Sequence, residues 1–186
     1  MHPKKTSATG INLIKSFEGL HKLGEDGLVK SYRCSAGKWT IGYGSCKGVR
    51  SGMSITKAEA EARLVEDVKA SEDCIKRLVS VPLSQNQFDA LVCFVFNIGG
   101  GKNFQTSTLL KKLNKGLYGE VAAQFLRWDK ARVDGTLTSL RGLTRRRTAE
   151  AALFSMDAEL PSQGGDRMPQ KVEATEVKPL TKSKTM

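Results

Sequence analysis

The 186-residue chain contains no run approaching 18 consecutive apolar residues, which excludes a membrane-spanning helix. Met1 to Gly10 is basic and polar with no apolar core behind it, so no secretory signal peptide is expected. No C-x-x-C pair occurs. The four cysteines, Cys34, Cys46, Cys74 and Cys93, are scattered outside the spacings of zinc and thioredoxin-like sites. Without an export signal they are expected as reduced thiols, and the sequence predicts neither a metal site nor a cofactor. No repeat recurs at 20–50 residues, which removes solenoids and propellers. Proline is scarce, five in all, and three of these fall in residues 157–186, a segment that also lacks any aromatic or isoleucine. That segment lacks the apolar surface needed to offset its chain entropy, and is expected to be a disordered tail.

What remains is one domain over residues 1–156. The apolar content of the whole chain is ordinary (39%, with 18 glycines), and the domain is large enough to bury a core without disulfides. The formal charge is +11. The tail holds five acids and five bases, so the whole excess sits on the body. Such a body favours a polyanionic partner: nucleic acid, an anionic membrane surface, or an acidic wall polymer. Nucleic acid is the weaker reading, because no basic–aromatic platform for stacking bases is present.

Periodicity gives a helix from Gly10 to Gly19, with Ile11, Leu13, Ile14 and Phe17 on one face. From Leu20 to Val49 the texture changes to six glycines and alternating apolar positions, the pattern of a small sheet with tight turns. Thr56-Lys-Ala-Glu59 is a capping box opening a long helix to Leu78, with an expected seam of Ala58, Ala62, Val65, Val68, Ile75 and Leu78. Ser84-Gln-Asn-Gln87 opens another, apolar nearly all round to Asn97, which belongs in the centre of a helical core. Three more helices are expected: Thr106 to Asn114, Tyr118 to Lys130, and Leu143 to Met156. The fold class is α+β, with a small sheet-bearing lobe and a larger helical lobe joined by one long helix and a cleft between them.

Glu18 closes the first helix, where the helix dipole disfavours an acid. Two readings stand: a solvated surface glutamate, or a general acid partly buried in the cleft and oriented by an arginine of Arg145-Arg146-Arg147. The stretches Phe17-Glu18-Gly19-Leu20, Tyr32-Arg33-Cys34 and Gly37-Lys-Trp-Thr40-Ile-Gly-Tyr-Gly44 resemble the signature of the phage-type lysozymes, the endolysins of glycoside hydrolase family 24. The similarity continues through Phe94-Val-Phe-Asn-Ile-Gly99, Phe104-Gln-Thr-Ser-Thr-Leu-Leu110, Phe125-Leu-Arg-Trp128 and Gly142-Leu-Thr-Arg-Arg-Arg147, spanning residues 10–156.

The resemblance implies a lysozyme-like fold and hydrolysis of the β-1,4 bonds between N-acetylmuramic acid and N-acetylglucosamine in peptidoglycan. It assigns Glu18 as general acid, Cys34 to the aspartate-or-cysteine position that steers water, and Thr40 as the hydroxyl beside it. Fifteen residues separate Glu18 from Cys34 where the family usually has eight, which reads as a seven-residue insertion around Leu23–Val29. Asp26 is the rival for the second position, but Tyr32, not threonine, stands six residues after it. A thiol is a weaker base than a carboxylate near neutrality, so Cys34 acts either as a thiolate or as a spacer beside a water on Thr40. Phe96, Ser107 and Gln124 are the expected substrate-binding positions. Further implications are a monomer with no stable membrane insertion, held in the host cytoplasm until a separate holin releases it to the wall. An inactive lysozyme-like scaffold is the alternative that the cysteine and the insertion leave open.

Overall fold

The computed structural model describes residues 2–3, 5–34 and 36–157, so the tail expected from residue 157 lies, after Asp157, outside the described residues. α1 (Ala8–Glu18) is capped by Ser7, whose hydroxyl accepts from the Gly10 N–H, and stops at Gly19, where φ is 69°. Short antiparallel pairs follow: β1 (Val29–Lys30) with β4 (Ser54–Ile55), and β2 (Tyr32–Arg33) with β3 (Trp39–Thr40). The expected small sheet is thus two separate ribbons, tied back to α1 by the His21 N–H donating to the Gly42 carbonyl at 3.4 Å.

α2 (Lys57–Leu78) starts at the expected capping box, with both reciprocal hydrogen bonds from Thr56 and Glu59 formed. Its seam keeps Val68, Ile75 and Leu78 of the expected one and differs in the first turns. Ala58, Ala62 and Val65 face solvent, while Ala60, Leu64, Val68, Ser71 and Ile75 are buried. The helix carries apolar residues on two stripes, and the core takes the one with leucine on it. α3 (Gln85–Ile98) is buried along most of its length and packs against α1, α2 and α7 (Arg141–Ser155). The helix expected from Thr106 to Asn114 is α5 (Thr108–Asn114), and a short α4 (Lys102–Gln105) that was not expected precedes it. Aromatic edges fix the centre: Phe94 meets Phe125 at 5.1 Å and Trp128 at 5.5 Å, and Phe125 meets Phe154 at 5.7 Å.

The helix expected from Tyr118 to Lys130 ends early. α6 (Tyr118–Phe125) passes into a 3-10 turn at Leu126–Trp128 and then into a hairpin, β5 (Lys130–Val133) with β6 (Thr136–Ser139). The turn is Asp134-Gly135, both at positive φ (46° and 81°), the chemistry a two-residue hairpin requires. Among the described residues no helix is long and apolar enough to cross a membrane.

The N-terminal segment anchors the start of α1, the helix that carries Glu18 at its other end. The Thr6 and Ser7 N–H groups donate to Glu72 at 2.7 Å and Asp89 at 3.0 Å. Gly10 lets α1 approach this anchor closely. A Cβ there would lie 2.5 Å from Thr6 Cγ2 and 2.8 Å from Asp89 Cβ. Gly10→Ala should therefore destabilise the fold by about 1–3 kcal/mol, measurable by urea denaturation, although alanine is the better helix former.

Candidate active site

Glu18 is the last residue of α1 and half-buried, with its side chain 26% exposed. Its Oε1 accepts from Nη1 of Arg146 at 2.7 Å, so a residue near one end of the described chain is fixed by a residue near the other. Arg146 is buried on α7, lies 5.5 Å over the Phe17 ring and donates from Nη2 to the Cys93 carbonyl at 3.2 Å. This partner offsets the unfavourable helix terminus that made Glu18 conspicuous. A cavity of about 510 Å³ opens here, lined by Phe17, Glu18, Asn97, Leu143, Arg145 and Arg146 among others.

Cys34 and Thr40 are brought together by strand register. Tyr32 is opposite Thr40, so both point to one face of the ribbon, and Cys34, two residues after Tyr32, shares it. Thr40 is buried, and its hydroxyl donates to the Lys38 carbonyl at 3.1 Å and lies 3.4 Å from Sγ of Cys46. The Lys38 backbone N–H first, and the Thr40 hydroxyl second, hold the Cys34 thiol below its ordinary value. Tyr32 stands among these groups: burial, then the charges of Cys34, Cys46 and Glu18, push its phenol up. One phenol thus senses both the α1 carboxyl and the ribbon thiols.

Asp26, the rival to Cys34, has a local structural job. Its carboxylate accepts from the Leu28 N–H at 3.0 Å and pairs with Lys30 at 3.2 Å in an exposed turn that closes on itself through Gly24 N–H to Leu28 carbonyl at 2.8 Å. The Leu28 N–H holds that carboxyl below its usual value. Residues 24–28 thus form a turn closed by its own hydrogen bonds ahead of β1 and Cys34.

The three expected substrate positions are dispersed over the large lobe. Phe96 is half-buried against the core. Ser107 is buried, and its hydroxyl caps α5 by accepting from the Leu110 N–H at 3.1 Å. Gln124 is buried on α6, with Oε1 unpartnered. None of the three lines the cavity at Glu18, and neither do Cys34 and Thr40, whereas Asn97, beside Phe96, does. Sequence reasoning missed Asn97 and also Glu150, a fully buried carboxylate on α7 that accepts from both Arg146 and Arg147. The spacing Arg146-x-x-x-Glu150 on an amphipathic helix was the available signal.

The four thiols differ in environment, which predicts a labelling order. Burial pushes Cys74 and Cys93 up, while Cys34 is lowered and half-buried. Iodoacetamide at pH 7.5 followed by peptide mapping should modify Cys34 about tenfold faster than Cys74 or Cys93.

The phage lysozyme family model matches residues 15–150. The chain is 47% identical over 148 residues to the endolysin of Acyrthosiphon pisum secondary endosymbiont phage 1, covering 80% of this chain and 96% of that one. It is 40% identical over 153 residues to the endolysin of Salmonella phage P22, again covering 80% and 96%. Among solved structures, the muramidase domain of SpmX from Asticaccaulis excentricus superimposes with a TM-score of 0.74 at 39% identity, covering 82% of this chain and 98% of that one.

Proposed function

We propose, since the chain belongs to the phage lysozyme family, that Glu18 is the acid with which it breaks the glycosidic bonds of bacterial peptidoglycan. The enzyme is an endolysin-type glycoside hydrolase, a muramidase acting on the cell wall. The bond cleaved is the β-1,4 link between N-acetylmuramic acid and N-acetylglucosamine. The observation that carries the residue assignment is the half-buried Glu18 carboxyl, held at 2.7 Å by buried Arg146 on the wall of the cavity.

In the proposed step, protonated Glu18 gives its proton to the glycosidic oxygen as the bond to the sugar carbon breaks. A water attacks the opposite face of the oxocarbenium-like sugar and gives up a proton to the Cys34 thiolate or to solvent. Cys34 and Thr40 share one face of the β2–β3 ribbon and position that water. What supports this role is the face the two residues share, the lowered pKa of the thiol and the hydrogen-bonded hydroxyl of Thr40. Proton and water arriving from opposite sides give inversion at the sugar carbon. Phe96, Ser107 and Gln124 remain the proposed saccharide contacts on the large lobe. The excess of positive charge on the body raises the local concentration of enzyme at an anionic wall.

For release we propose a separate holin, with the monomeric chain waiting in the host cytoplasm. Mass analysis of fragments from purified peptidoglycan tests the reaction: reducing-end muramic acid is expected. The anhydro form would instead identify a lytic transglycosylase.

A further inference from the structure

A guanidinium at 2.7 Å favours an ionised carboxylate, whereas a general acid has to hold a proton. The residues behind Arg146 address that conflict. We propose that Glu150 is a positioning residue for the acid, acting on Glu18 through Arg146: above neutrality, where Glu150 is ionised, its buried negative charge draws on the same arginine pair and so opposes loss of the proton from Glu18. The proposal rests on the reading of Glu18 as the acid.

The geometry is a fork. Oε1 of Glu150 accepts from Nε of Arg146 at 3.3 Å, from Nη2 of Arg147 at 3.0 Å and from Sγ of Cys93 at 3.3 Å. Oε2 is buried and unpartnered. All three donors converge on one oxygen, so the other can gain or lose a proton while the fork stays assembled. Only the charge of the cluster changes. Burial pushes Glu150 up to about 7, against the pull of Arg147 and Arg146, which places that change near neutrality. The same carboxylate reaches the cavity by a second branch. Arg147, fully buried and 4.8 Å over the Phe94 ring, donates to Oδ1 of Asn97 at 2.8 Å, and Asn97 lines the cavity beside Glu18.

The groups facing Glu150 are few. α3 contributes the Cys93 thiol and Asn97, α7 contributes the two arginines, and α1 contributes Glu18 beyond Arg146. α6 meets α7 through the uncharged pair Phe125 and Phe154. With both glutamates ionised, two cations meet two anions and the cluster is neutral. Glu150→Gln keeps an oxygen for the fork but leaves Glu18 as the one anion facing two guanidiniums, which favours its ionised form. Arg147→Met does the reverse: two carboxylates then share Arg146.

The test is kcat/KM against pH for both variants on purified peptidoglycan, with Tm measured beside it. The alkaline limb of activity should move to lower pH by about half a unit or more in Glu150→Gln and to higher pH by a similar amount in Arg147→Met. The double variant should return it towards the parent position. A purely structural role lowers Tm but predicts no opposed shifts. An alkaline limb unmoved in either variant that folds overturns the proposal, and if Glu150→Gln fails to fold, Arg147→Met alone decides it. Glu18→Gln run in parallel separates the two readings. Activity retained in Glu18→Gln removes the acid assignment itself, whereas activity lost there with unmoved limbs in the other two removes the role of Glu150 alone.

Discussion

Glu18→Gln should reduce peptidoglycan hydrolysis by about 10²- to 10⁴-fold, the usual contribution of a positioned general acid, while leaving Tm within a few degrees of the parent. Glutamine has the same length, and its amide oxygen can still accept from Arg146, so the link between α1 and α7 survives. What disappears is the transferable proton. The stability cost stays small because the side chain is a quarter exposed, and because Arg146 keeps the Glu150 carboxyl as a hydrogen-bond partner after the substitution. Glu18→Asp makes the complementary point. It retains a proton but withdraws the carboxyl by one methylene, and misplacement on that scale is expected to remove most of the rate while sparing the fold. Clearing of a wall suspension gives the rate, and circular dichroism gives the Tm. Clearing by Glu18→Gln at the parental rate would show that another group protonates the leaving oxygen.

The parts of this site differ in how plainly the sequence carries them, and the differences have physical causes. Helix starts were legible because caps are local chemistry. Thr56 with Glu59 and Ser84 with Gln87 each satisfy their own backbone groups, and both boxes form as read. Glu18 was conspicuous because an acid at a helix C-terminus conflicts with the helix dipole, and the structure answers that conflict with Arg146. The first turns of the α2 seam were misread because two apolar stripes run along one helix, and which of them is buried depends on what α3 presents to it. The β5–β6 hairpin was lost by extending the period of α6 through Trp128, although Asp134-Gly135 between alternating residues is a strong turn signal. Glu150 was missed for a different reason, although its i, i+4 spacing from Arg146 was there to read. A glutamate in an arginine-rich helix reads as solvated, and only the packing of α3 over α7 buries it.

That burial carries the second large prediction, in the pH dependence of stability. Glu150 has a folded-state pKa of about 7, raised by desolvation from an ordinary value of 4.5. The sign follows from linkage. Below pH 4.5 the group is protonated in both states and costs nothing. Between 4.5 and 7 the unfolded chain ionises while the folded chain retains the proton, so folded stability is lost as pH rises through this window and levels off above it. The loss amounts to about 3 kcal/mol at most, and a chain of this length should show it as a Tm lower by roughly 5–10 °C at pH 8 than at pH 5. Carboxylates such as Glu59 and Glu61 are lowered, by the Thr56 backbone N–H and by Lys15 respectively, so they weaken the fold only at the acid end, as pH falls through their depressed values. The two effects leave a stability maximum near pH 5. Calorimetry across pH 4–9 on the parent and Glu150→Gln isolates the buried group: the variant cannot ionise at this position, so its Tm should lie flat from pH 5 to 8. A parent profile equally flat over that range would mean that the arginine pair keeps Glu150 ionised throughout, and the cluster would then hold a fixed charge instead of a titrating one.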